Sequence, residues 1–145
     1  MITNDVQYRS TLAWVARFDA DVAMLEMATP APRSRLQQAK IDATRSQADD
    51  LRGQVEAYEA LRSGTVRRFE AGSLLGLAEA LVMARVARGW TQRRLADELG
   101  VAEQQIQRYE STGYASASLA RLARVAAALG VTITETVTLD EGDAA

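Results

Sequence analysis

The sequence predicts a mainly α-helical protein: an N-terminal antiparallel helical hairpin, or coiled coil, followed by a compact helix-turn-helix domain that ends in a short β-strand. Three observations carry that prediction. Apolar residues in the first 62 positions recur at spacings of three and four, as one face of a helix requires. Gly100 follows directly on an i, i+4 apolar pair, Leu95 and Leu99, so one short helix must stop there and another begin. Residues 131–139, VTITETVTL, are dominated by β-branched side chains that alternate as a strand does. The division that follows is a hairpin at 1–63, a linker with a possible short strand at 64–73, the helix-turn-helix at 74–130, and a strand with an acidic tail at 131–145.

The first helix is expected over about residues 4–27, where Tyr8, Leu12, Val15, Phe18, Val22 and Leu25 form one stripe. Thr29 to Pro32 breaks the chain, and Ser34 with Gln37 has the spacing of a capping box for a second helix reaching about Arg62. In that helix Ile41, Ala48 and Val55 are seven apart, as are Thr44, Leu51 and Tyr58, which makes a heptad seam. The seam serves a hairpin closed on itself, a dimer of hairpins or the docking of a partner protein; Gly53 within it suggests close helix approach. Ser63-Gly64 ends the helix, and Val66 with Phe69 suggests a short strand or turn in the linker.

Ser73 is a cap for a helix whose inward residues are Leu77, Leu81 and Ala84 or Arg85, with Leu74 opening the stripe. Thr91 caps the next helix, whose small Ala96 allows close approach of its successor. That successor starts near Ala102 or Glu103 and turns Ile106 and Tyr109 inward, leaving Glu103, Gln104, Gln105, Gln107, Arg108 and Glu110 as its polar positions. Glutamine amides match an adenine edge, arginine matches guanine, and glutamate accepts from cytosine, so a helix with this face suits the major groove. A last helix, Ser118 to Leu129, directs Leu119, Leu122, Val125, Ala126 and Leu129 inward.

The run Thr91, Gln92, Leu95, Ala96, Leu99, Gly100, Val101, Ile106, Arg108, Tyr109 and Glu110 resembles the Xre family of DNA-binding domains, typified by phage lambda-type repressors and Cro. The resemblance spans about residues 74–130. It implies that Glu103, Gln104, Gln107 and Arg108 face base edges, and that Gln92, Arg93 and Gln105 meet the phosphate backbone, Gln92 also bracing a recognition-helix side chain. It implies as well a structural pair between Arg85 and Glu110, with Ala96, Gly100 and Ile106 as structural positions. Two departures stand out: Ala102 occupies a position where the family often has a capping Ser or Thr, and the loop Ser111 to Ser118 carries no Lys or Arg.

The chain has 145 residues with no cysteine and no histidine, which excludes disulfides and the usual zinc ligands; no metal or cofactor is expected. No apolar run approaches the ~20 residues that cross a bilayer, so no membrane contact and a cytoplasmic setting are expected. An enzyme is not expected either. The nearest carboxylate pairs, Asp49-Asp50 and Glu56 with Glu59, read as solvated helix faces. The formal charge of −2 is divided unevenly: net +2 over residues 74–130, zero over 1–73 and −4 beyond Gly130, where the acidic end from Asp140 to Ala145 is expected to be disordered. With so few cations for phosphate, a dimer on a two-fold operator is expected. The expected function is a sequence-specific regulator of transcription, a dimeric repressor bound to double-stranded operator DNA through helix 103–110. The alternatives are a HigA-like antitoxin that also binds a toxin protein, and a docking module that binds no DNA.

Overall fold

A computed structural model describes residues 1–139, so the acidic tail expected to be disordered lies outside the described residues. Six helices follow one another: α1 (Asp5–Ala28), α2 (Arg35–Arg62), α3 (Leu74–Ala87), α4 (Gln92–Leu99), α5 (Glu103–Ser111) and α6 (Leu119–Ala128). Among the described residues no helix is long and apolar enough to cross a membrane.

Local chemistry sets most helix ends. Asn4 caps α1 by accepting from the Gln7 amide at 2.9 Å. Ser34 and Gln37 form the reciprocal capping box at the start of α2, with bonds of 3.2 and 2.9 Å. Ser73, Thr91 and Ser118 cap α3, α4 and α6 through their hydroxyls. Each such cap satisfies an amide that the helix itself leaves without a partner.

α1 and α2 pack side by side as a hairpin. Ile41, Ala48 and Val55, the seven-residue seam, are buried, while Thr44 and Leu51 are half-buried. Three arginines of α2 reach three carboxylates of α1: Arg45 to Glu26 at 2.6 Å, Arg52 to Asp19, and Arg62 to Asp5 at 2.8 Å. These exposed pairs fix register more than they add stability. Gly53 is exposed, and a Cβ there would meet nothing within 4 Å, so this glycine does not mark a close helix approach.

Two cores hold the rest. The larger lies among α3, α4, α5 and α6 and includes Leu81, Leu95, Ala96, Leu99, Ile106, Tyr109, Val125 and Leu129. The smaller joins the base of the hairpin to α3: Ile2, Val55, Tyr58 and Leu61 pack on Val86, with Val66 and Met83 alongside. Phe69 touches both cores, so the segment 64–73 is an irregular connection packed at its middle, with no strand in it.

The expected C-terminal strand is absent. Residues 131–139 form no strand and no other extended segment pairs with them, so among the described residues the fold is entirely helical. Val131 is tied back by donation of its amide to the Ala126 carbonyl at 2.8 Å, and beyond it the chain is exposed. β-Branched alternation supplies propensity, but a ladder needs a neighbour to receive its hydrogen bonds, and the 65–70 segment is engaged with the cores instead. Leu119 and Leu74 also depart from expectation. Each is the first residue of its helix and lies outside the core, Leu119 being 70% exposed.

Candidate nucleic-acid interface

α4 and α5 cross at a turn made by Gly100, whose φ of 66° and ψ of 36° place it in the left-handed region. A Cβ at Gly100 would meet nothing within 4 Å, so the glycine is required for its backbone angle and not for space. The Val101 amide closes the turn by donating to the Ala96 carbonyl at 3.0 Å. Ala96 is buried between the helices, where a longer side chain would separate them. α5 then starts at Ala102, which has the extended backbone of a cap, φ −70° and ψ 144°, but no side chain that can accept.

The inner face of α5 is Ile106 and Tyr109, both buried in the large core. Its outer face presents Gln104, Gln107 and Arg108 to solvent, with Glu103 and Gln105 half-buried beside them. Three long polar side chains with donor or acceptor ends thus project from one exposed surface, and Arg93 projects from the start of α4. Arg94 is stacked over Trp90 at 5.2 Å and pairs with Glu98 at 3.5 Å, and Arg124 donates to the Leu99 carbonyl at 3.4 Å.

What holds this face in place is a buried charge network. Arg85 and Glu110 have side chains only 2% exposed and meet in a fork, Nε to Oε1 at 2.5 Å and Nη2 to Oε2 at 2.7 Å. The same guanidinium donates through Nη1 to the Trp90 carbonyl at 2.7 Å and through Nη2 to the Thr3 carbonyl at 2.8 Å. Gln92 is buried and donates its amide to Glu110 Oε2 at 2.7 Å. Its side-chain donor therefore braces the end of α5. With every strong partner supplied, the pair avoids the cost of an uncompensated buried charge.

The Thr3 and Trp90 carbonyls could not be foreseen as partners of Arg85, because backbone acceptors leave no mark in side-chain patterns. Nor did it show that the first residues of the chain border α5. A cleft of about 900 Å³ runs between Thr3, Asn4 and Gln7 on one side and Thr91, Gln92, Glu103 and Gln107 on the other. In the loop after α5, Gly113 and Tyr114 both adopt left-handed angles, φ 58°. The Tyr114 ring is buried and stacked on Tyr109 at 5.5 Å, and its hydroxyl has no partner among the described residues. Burial raises the Tyr114 pKa above the ordinary phenol value, and the neighbouring Glu110 carboxylate adds to the rise.

Residues 81–135, a little over a third of the chain, match a protein-family model described as helix-turn-helix. No curated protein and no solved structure matches the chain. The matched span begins within α3 and includes α4, the Gly100 turn, α5 and α6, the elements that carry the buried Arg85–Glu110 fork and the polar outer face. The chain therefore contains a DNA-binding helix-turn-helix domain of the Xre, lambda-repressor-like family.

Proposed function

We propose that the protein is a sequence-specific regulator of transcription in the cytoplasm, a dimeric repressor that lays α5 in the major groove of its operator. The observation that carries this reading is the pairing of an exposed polar face with a rigid mount. Gln104, Gln107 and Arg108 are free to meet base edges, while Ile106, Tyr109 and Glu110 are clamped beneath them. Glu103, half-buried at the start of the helix, faces the same groove. Arg93, Gln105 and the first-turn amides of α4 beside Gln92 serve the phosphate backbone. The modest positive charge of this region makes nonspecific attraction weak, so two reading helices on one operator supply the affinity that one lacks.

The test is a salt-controlled titration of Gln104→Ala and Arg108→Ala against a selected duplex and a scrambled one. Each variant is expected to lose ~1–3 kcal/mol on the selected site and little on the scrambled site. Equal losses on both duplexes would show that α5 does not read bases. No binding to any duplex by the unaltered protein would leave a docking module as the better reading.

A further inference from the structure

α1 is apolar on two faces, and α2 covers only one. Val15, Phe18, Val22 and Leu25 are half-buried toward α2, yet no residue of this 24-residue helix is fully buried. Away from α2, Val6, Met24 and Met27 are 71%, 69% and 84% exposed, and Trp14 at the margin of that face is 48% exposed. Between them Ala13, Ala16, Ala20 and Ala23, all exposed, continue a 3–4 spacing that runs from Val6 to Met27. That period is the period of a helix seam, and among the described residues nothing packs on it. The outward face of α2 is more polar: Lys40, Ser46, Gln47, Asp50, Gln54 and Glu56 are exposed there among the small residues Ala39, Ala43 and Ala57, and Leu36 at its start is its one exposed large apolar residue. The hairpin therefore exposes most of its large apolar side chains on the α1 side.

We propose that this outer face of α1 is the docking surface for a second copy of the chain, with the two hairpins joined so that both α1 helices lie inside a four-helix bundle. Charge argues for self-association. A two-fold contact places one patch against itself, so it tolerates little net charge. Three of the four α1 carboxylates, Asp5, Asp19 and Glu26, are turned to Arg62, Arg52 and Arg45 of the same chain. The fourth, Asp21, is exposed at the margin with Arg17, whose guanidinium lies over Trp14, so the two offset each other and Arg9 is the one charge in the line from Val6 to Met27. Size argues for it as well. Val6 to Met27 spans roughly 32 Å at ~1.5 Å per residue, and two helices about 10 Å wide in contact over that length remove on the order of 1,000 Å² from water. That is near the lower bound for a specific pair, so the dimer is expected to be weak, with a dissociation constant of about micromolar. The proposal deepens the dimeric reading above and relies on it only for the purpose of the dimer.

The experiment is sedimentation equilibrium on the full chain, compared with Ala16→Glu/Ala20→Glu and with Ser46→Glu on the outer face of α2. All three sites are exposed, so circular dichroism should show the same helix content throughout. The unaltered protein and Ser46→Glu are expected to dimerise at ~50 µM, and the double variant to associate at least about tenfold more weakly. A monomeric unaltered protein, or a double variant that dimerises as well as it does, overturns the proposal. Binding to a duplex with a single half-site is measured alongside and should be unchanged by Ala16→Glu/Ala20→Glu. If dimerisation follows the expected pattern while no duplex is bound, the DNA-reading function fails and the interface stands.

Discussion

Tyr114 buries a hydroxyl with no partner, at a left-handed backbone position, so its ring must outweigh both costs. Its stacking on Tyr109, within the core beneath α5, is the compensation the structure offers. Removing only the oxygen keeps that stacking. Tyr114→Phe is expected to leave thermal stability unchanged or raise it by up to ~1 kcal/mol, because the lost group was unsatisfied. Its pH behaviour gives a second readout. The folded state holds the phenol proton more tightly than the unfolded chain, so this contribution to stability is complete below the ordinary tyrosine pKa of about 10. It is lost as pH rises from there through the folded value. Denaturation curves taken above about pH 10 should therefore fall less steeply for Tyr114→Phe than for the unaltered chain. An equal fall in the two proteins would mean that the hydroxyl is not buried. Nothing in the sequence announces this role, since a tyrosine between Gly113 and Ala115 reads as an ordinary loop residue.

At the scale of elements, the legible features were those decided within a few residues. The caps at Ser34, Ser73 and Thr91, and the left-handed stop at Gly100, depend on one side chain or one backbone angle and could be read directly. What failed was whatever required a neighbour. The run 131–139 has strand chemistry but nothing to pair with, and Leu119, apolar and in phase, begins its helix too early to reach the core. Ala102 is a local feature with a measurable consequence. α5 has nine residues and no side-chain cap, and the backbone of Ala102 already has the extended angles of a capping residue. Ala102→Ser should let a hydroxyl accept from the first turn of α5 and stabilise the fold by ~1 kcal/mol, a rise of roughly 2–4 °C in Tm. An unchanged melting temperature would show that these amides gain nothing over water from a cap.

At the scale of the whole molecule, the pairing of Arg85 with Glu110 was legible from the family resemblance, but its reach was not. Through Thr3 the guanidinium also fastens the start of the hairpin, and Val86, the next residue of α3, packs on Tyr58 and Leu61 from below. Arg85→Ala is accordingly expected to cost ~3–5 kcal/mol in chemical denaturation, because Glu110 would remain buried without its partner. Adding Glu110→Leu should recover part of that loss. Hydrogen exchange at residues 1–8 should quicken in both variants, since the Thr3 carbonyl loses its donor in each. Slow exchange there in the double variant would show that Ile2 alone holds the segment.

The bond from Arg85 to Thr3 spans 82 residues, and the carboxylate that orients that arginine is 25 residues further along. A ribosome adding roughly 5–20 residues per second makes Thr3 many seconds before residue 110 exists. During that interval α1 and α2 have their local caps and their arginine–carboxylate ladder, but the base of the hairpin lacks α3 to close against. The nascent chain therefore carries exposed apolar residues, Ile2, Tyr58 and Leu61 among them, until α3 has been made and can pack on them. The arrival of α5 both completes the polar outer face and supplies the carboxylate that orients Arg85 toward Thr3, so a stalled or truncated chain that ends before Glu110 lacks both at once.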